Sequence, residues 1–346
     1  MPKFYDGRKL LTLKDINKKD PLIFLCTSNR SAGKTTFFNK YLVDEFINKQ
    51  KKFILLYRFN DEISNIANKF FTDIHSLFFN DYHMTEHKES KLFMRLYLND
   101  IECGYAISLN SAEKLKKFSH IFSEVEYILF DEFQSENENY TSNEITKFMS
   151  IYMTVARGQG KAIRNVKVFM LSNFISLLNP YYSALDISTD RLKENTKFLR
   201  GNGWVLEKNQ NETVIEEQNK NAFFKAFANQ SYIKKNKTNQ YLNDNYTMIE
   251  TIKDDKFKYL FNFICDDKMY SVKEFYNKNI IYVSKSVDKT FSKCYTVSCK
   301  DIDENIIFIN ENKMLLSLLR MYFNRGLFKF DSLLSKNATI KLLSIY

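Results

Sequence analysis

The sequence predicts an α/β fold with a mostly parallel sheet over residues 1–205, a partly helical connector at 206–247 and a smaller α+β domain at 248–346. Three observations predict it. Apolar runs at Leu22–Cys26, Phe53–Tyr57, Tyr127–Phe130 and Val166–Leu171 alternate with helical patterns, and unbroken runs of this kind mark strands buried on both faces. From about Ile249 the texture changes to short alternating strands. The 346 residues, 44% of them hydrophobic, suffice for two cores, while 3 Pro and 8 Gly leave little room for long flexible linkers.

The chain is organised around Leu22–Thr36, LIFLCTSNRSAGKTT. A buried strand runs into a tight loop, and a helix starts near Lys34. The loop ends Gly33-Lys34-Thr35, the last three positions of a phosphate-binding loop. Backbone N–H groups curl around phosphates in such a loop, and the helix N-terminus adds positive dipole. Gly33 lets the backbone come close, Lys34 reaches the β- and γ-phosphates, and the Thr35 hydroxyl holds Mg²⁺. Thr27, Ser28, Asn29, Arg30, Ser31, Ala32, Gly33, Lys34, Thr35 and Thr36 thus form the candidate cradle, with ATP and Mg²⁺ the expected cofactors. Ser28 stands where the motif has its first Gly, which is tolerable if its φ stays negative. A bare GKT triplet also occurs in ordinary strand–turn–helix units; the strand before it and the helix after it argue against that.

The polar, basic lead-in 1–20 is a candidate adenine contact. Phe37, Phe38, Tyr41, Leu42 and Phe46 recur at helical spacing and place one face against a sheet. Arg58 follows the second strand at its carboxyl end, where ligands gather in open α/β sheets, and equally suits a solvated strand end. Glu62–Phe71 is helical. Lys91–Leu98 and Tyr105–Leu109 form a hairpin around Asn99-Asp100 and Gly104. Ser111–Phe122 reads as a basic helix carrying Lys114, Lys116 and Lys117, a pattern usual for a solvated face.

Val125–Phe133, VEYILFDEF, is the second decisive stretch. Four apolar residues end in two acids. Asp131 is placed to join the Mg²⁺ shell, and Glu132 to orient or activate water at the γ-phosphate. A phosphate loop with such a strand about a hundred residues downstream implies ATP hydrolysis. Glu144–Ala156 is a helix ending at Arg157-Gly158-Gln159-Gly160. Arg157 there either quiets the helix dipole or acts as an arginine finger on a neighbouring subunit's nucleotide. Val166–Leu171 ends in Ser172-Asn173, polar groups able to sense the phosphate, and Asn179-Pro180-Tyr181-Tyr182 makes a turn. Gly201-Asn202-Gly203 breaks the chain before a short strand at Trp204–Glu207. The second domain offers strands at 257–265, 269–275, 280–284 and 294–298 in a mostly antiparallel sheet, then helices at 314–324 and 332–344.

Net charge is +10, which favours a polyanionic partner without identifying one. The 32 Phe and 21 Tyr fit a coding bias or nucleic-acid stacking surfaces. No apolar run approaches a membrane span, and MPKFYDGRKL is not the start of a signal peptide. The five cysteines lack metal-ligand spacing and read as reduced cytosolic thiols; His83 and His87 have no companions for a zinc site.

Read in order, SNRSAGKTT, the Arg58 strand end, ILFDEF, TVARGQGKAIR and above all MLSNFISLLNPYY make the chain resemble the DNA-packaging ATPases of phi29-type short-tailed phages. These are P-loop NTPases of the additional-strand, catalytic-glutamate class, ring translocases allied to large terminases and the FtsK/HerA group. The resemblance covers roughly the first 200 residues closely, and the rest by length and texture. It implies a homopentameric ring that docks on the procapsid portal in the host cytoplasm and drives double-stranded DNA inward, with a structural RNA as a further candidate partner and no membrane. It implies Glu132 as the catalytic glutamate, Arg157 as a trans-acting finger, Lys114 as a trans-acting lysine, Arg30 as a basic loop position, and Asn173 in the motif coupling hydrolysis to movement. It implies an RNase H-like second domain that has lost its catalytic acids, with Asp266 and Asp267 in a turn. Asn60, where the family can carry Lys, departs from the pattern. The rival readings are another P-loop nucleic-acid motor, such as a helicase or loader, and a nucleotide-gated DNA-binding scaffold without turnover.

Overall fold

The computed structural model describes residues 5–344 apart from 90–91, 137–138, 159, 161, 178, 188–191, 193–195, 231–232, 234–245 and 253–255, and apart from the side chains of 64–69. The start of the lead-in, Lys91, Gln159, Lys161 and much of the expected connector lie outside the described residues. Contacts divide the chain into two units, Met1–Asn243 and Asp244–Tyr346.

The first unit holds a nine-stranded sheet: β1 (Ile23–Ser28), β2 (Lys52–Tyr57), β3 (Met84–Lys88), β4 (Phe93–Leu98), β5 (Ile101–Ser108), β6 (Val125–Phe130), β7 (Lys167–Asn173), β8 (Phe198–Arg200) and β9 (Trp204–Asn209). Their order is β3-β4-β5-β2-β6-β7-β1-β9-β8. The run β5-β2-β6-β7-β1-β9 is parallel, and β4, β3 and β8 add antiparallel edges. The helices are α1 (Arg8–Thr12), α2 (Lys34–Lys49), α3 (Asn60–Phe78), α4 (Ala112–Leu115), α5 (Glu144–Val155), α6 (Pro180–Ala184), α7 (Glu212–Lys220) and α8 (Ala222–Ala226).

Because strand side chains alternate, the parallel strands feed two cores. Phe24, Cys26, Leu55, Leu129, Phe169 and Leu171 pack under α2 and α3. Leu25, Ile54, Ile128, Phe130, Val168 and Met170 pack under α4, α5 and α6. Parallel pairing also brings the carboxyl ends of four strands to one edge, with Ser28 opposite Asn173, Phe130 opposite Met170, and Leu56 opposite Phe130.

The structure differs from the sequence reading at several points. Residues 111–122 do not form one basic helix: a 3₁₀ turn at Leu109–Ser111, the four residues of α4 and another 3₁₀ turn at Lys116–Phe118 replace it. Leu109, Ala112, Leu115, Phe118 and Ile121 pack on the core at a spacing of three, the 3₁₀ period rather than the α period. Asn179-Pro180-Tyr181-Tyr182 is a helix start instead of a turn: Asn179 caps α6 by accepting from Tyr182 N at 2.9 Å, and Pro180 takes the first position. The sheet continues through residue 205, because β9 pairs along the whole of β1. Gly201 sits in the β8–β9 turn where a Cβ would meet the Trp204 ring at 2.1 Å.

The second unit holds β10 (Lys258–Cys265), β11 (Lys268–Phe275), β12 (Ile280–Ser284), β13 (Cys294–Thr296), β14 (Ile306–Phe308) and β15 (Phe328–Phe330), with α9 (Lys313–Asn324) and α10 (Leu333–Leu343). Its order is β14-β13-β10-β11-β12-β15. Only β10–β11 and β11–β12 are antiparallel, and β13, β14 and β15 join in parallel, so the sheet is mixed rather than mostly antiparallel. Alternation within a strand says which face is buried and nothing about the neighbour's direction. One face packs on α9 and α10 through Leu316, Leu319, Ala338 and Leu342. Asp266 and Asp267 make the β10–β11 turn, with φ of 50° and 58°.

Candidate nucleotide site

Strand β1 delivers the loop and α2 receives it. Ser28 is fully buried as the last residue of β1 and is not among the positive-φ residues, so a Cβ is accommodated where the motif has Gly. The left-handed positions are Ser31 (φ 65°) and Gly33 (φ 92°), the second at the N-cap of α2. Alternation of such residues with ordinary ones turns N–H groups toward a common centre, an anion-binding concavity.

Lys34 is buried, and its Nζ donates to Ser28 Oγ at 2.9 Å and to Asn173 Oδ1 at 3.1 Å. Burial lowers its pKa, against the pull of nearby Asp131 and Glu132. Thr35 Oγ1 donates to Asp131 Oδ2 at 2.7 Å, which joins the loop to the acid that follows β6. Burial raises the Asp131 pKa, opposed by the Thr35 bond and Lys34. Glu132 is raised too, first by burial and then by the carboxylates of Asp131, Glu136 and Glu62. A hydroxyl and a carboxylate this close are hard oxygen donors that suit Mg²⁺, a cation that keeps most of its waters. Their donor chemistry therefore fits the expected metal.

The Asp131–Glu132 turn is held from several sides. Glu132 has φ 57°, a left-handed conformation costing about 1–3 kcal/mol for a residue with a side chain. Arg58 donates through Nη1 to Glu132 O at 3.1 Å and through Nη2 to Phe133 O at 2.9 Å. Its Nε faces Glu144 at 3.2 Å, both side chains are buried, and the guanidinium lies over the Phe130 and Tyr140 rings. Glu144 also accepts from Tyr181 Oη and Thr141 N, each at 2.8 Å. Gln134 Oε1 accepts from Ile175 N at 3.2 Å and Ser176 N at 3.0 Å, and its Nε2 donates to Tyr182 Oη at 3.3 Å. The acid turn, the loop after β7, α5 and α6 are thus one hydrogen-bonded body.

The remaining expected residues distribute as follows. Thr27 Oγ1 donates to Glu207 O at 3.2 Å. Asn29 is buried and exchanges two hydrogen bonds with the backbone of Asn211, the N-cap of α7. Arg30 pairs with Glu136 at 3.2 Å. Ala32 O accepts from Tyr5 N at 2.9 Å, which brings the lead-in onto the loop. Thr36 continues the first turn of α2. Lys114 and Arg157 are exposed and make no hydrogen bond or ion pair among the described residues. They share a region, since α4 carries Lys114 and packs on α5, whose last turn precedes Arg157.

Sequence reasoning missed Gln134, Glu144 and the roles of Tyr181 and Tyr182. Asn-Pro before an aromatic pair was a readable helix start. The side-chain partners were not readable, because they join residues far apart in the chain.

A family model described as podovirus DNA encapsidation protein (Gp16) matches residues 3–345. The DNA packaging protein of Bacillus phage PZA is 25% identical over 343 residues, covering 98% of this chain and 96% of that protein. The DNA packaging protein of Bacillus phage phi29 is likewise 25% identical over 343 residues, with the same coverage. Among solved structures, a chain of the bacteriophage Phi-29 viral genome packaging motor assembly superposes with TM-score 0.73 at 23% identity, over 98% of each chain.

Proposed function

We propose, from the premise that this chain belongs to the podovirus DNA encapsidation protein family, that it is the ATP-hydrolysing motor that drives double-stranded DNA into a viral procapsid. The observation that carries this reading is the Thr35–Asp131 bond of 2.7 Å, which puts the loop and the acid turn in one crevice. Lys34 leaves Ser28 and Asn173 for the β- and γ-phosphates. Glu132 orients the attacking water, and Arg58 keeps its backbone in place. Thr35 and Asp131 would hold Mg²⁺, which draws charge from the transferred phosphoryl group. Asn173, freed when Lys34 turns to the phosphates, reports the nucleotide state through the β7 end to Gln134 and α6.

Arg157 and Lys114 are the groups we assign to a neighbouring subunit's nucleotide; their exposure supports a role across a ring interface. The second unit's antiparallel β10–β11–β12, with β13 and β14 added in parallel beside β10, supports an RNase H-like reading. Asp266 there is engaged with Lys341. Lys273 lies 5.1 Å from the Phe257 ring centroid and 5.6 Å from that of Tyr259, a basic and aromatic surface suited to nucleic-acid contact.

The test is phosphate release by the assembled protein with and without duplex DNA. Duplex DNA is expected to stimulate turnover without strand separation, and Arg157→Ala to lower it by about 10³–10⁵ while nucleotide still binds. Normal turnover in Arg157→Ala removes that residue from the mechanism; strand separation makes the protein a helicase.

A further inference from the structure

Beside the acid turn, between α2 and α3, lies a cavity of about 340 Å³ lined by Thr35, Asn39, Tyr57, Glu62, Asp131 and Glu132, among others. Asn39 is only 4% exposed, and its amide makes no hydrogen bond among the described residues. The amide is not sealed from water, since it opens onto the cavity, where water or a hydrated ligand can satisfy it. The Tyr57 hydroxyl also makes no hydrogen bond among the described residues, and Tyr57 lines the cavity together with Asp131 and Glu62. A polar space of this size holds water.

Asn39 lies one helical turn after Thr35, which sets their Cβ atoms about 5–6 Å apart on one face of α2. Thr35 and Asp131 already pair at 2.7 Å as the protein oxygens, and Mg²⁺ keeps most of its waters, which leaves Asn39 to act through water. We propose that the Asn39 amide and the Tyr57 hydroxyl hold water molecules in the shell of the divalent cation for which Thr35 and Asp131 provide the protein oxygens. Both are positioning residues. The inference rests on the reading of the crevice as a Mg²⁺–nucleotide site. A cation held by few protein groups depends on whatever fixes its waters, and loss of such a partner weakens metal binding by about 10–100-fold.

The experiment titrates Mg²⁺ into the full chain with ADP, by calorimetry, for wild type, Asn39→Leu, Asn39→Asp and Tyr57→Phe. ADP affinity in EDTA is expected to be the same in all four. The Mg²⁺ concentration for half-saturation is expected to rise at least about tenfold in Asn39→Leu and severalfold in Tyr57→Phe, and to stay at or below wild type in Asn39→Asp, whose oxygens still bind water. Half-saturation within twofold of wild type in both Asn39→Leu and Tyr57→Phe overturns the proposal. If Asn39→Leu fails to fold, Tyr57→Phe, which removes a single oxygen, decides alone. Wild-type ADP binding that ignores Mg²⁺ overturns instead the reading of the crevice on which the proposal rests.

Discussion

Arg58→Met leaves Glu144 buried without its cation, at a site where the two side chains are 7% and 2% exposed. Breaking a buried pair from one side costs about 3–5 kcal/mol, because the remaining charge is stranded. Glu144 keeps the Tyr181 and Thr141 donors, which places the expected loss at the lower end, about 3 kcal/mol. Arg58→Met/Glu144→Met removes the stranded carboxylate and should recover at least about half of that, since apolar replacement of a buried pair is often neutral. Hydrolysis should stay impaired in both variants, because Glu132 O and Phe133 O lose the donors that help to hold Glu132 at φ 57°. Urea unfolding followed by fluorescence reads this cleanly: Trp204 is the single tryptophan, buried in β9, so it reports the first unit. A loss below about 1 kcal/mol in Arg58→Met, or wild-type ATP turnover in the double variant, would refute the assignment of Arg58 as the brace of the acid turn.

Two further variants test the loop and its surroundings. In Ser28→Ala, Lys34 loses a charge-assisted bond worth about 1.5 kcal/mol in the nucleotide-free state, so ATP should bind up to about tenfold tighter by fluorescence titration; weaker binding would mean that Ser28 serves the bound state. Glu207 is buried with its pKa raised, chiefly by desolvation, and it accepts from Tyr5 Oη at 2.5 Å. The stability of a raised carboxyl is complete below the ordinary carboxylate range and is lost as pH rises through its folded value. Glu207→Gln, which still accepts from Tyr5, should therefore raise the unfolding midpoint at pH 8 and leave it unchanged near pH 4. An equal effect at both pH values would contradict this.

Leu22–Thr36 and Val125–Phe133 were legible because their signals are local: an apolar run, a breaker, a fixed spacing. The lower edge of legibility is visible at β3 and β8, short edge strands without a long apolar run, and at 111–122, read as one basic helix although its apolar residues recur every three. Arg58 illustrates what no local pattern holds. Its position at a strand end was readable, yet its partner Glu144 is 86 residues away, and only tertiary packing makes the pair a brace instead of a ligand contact. Ser28 was legible as a departure from the motif, but not its consequence, since the hydroxyl becomes a resting place for Lys34.

The most direct measurement is single-turnover phosphate release by wild type and Glu132→Gln on duplex DNA, with ATP binding followed in parallel. The crevice formed by Lys34, Thr35, Asp131 and Glu132 predicts that the variant binds ATP as tightly as wild type and releases phosphate slower by at least about 10². Equal release rates, with ATP bound in both, would contradict it.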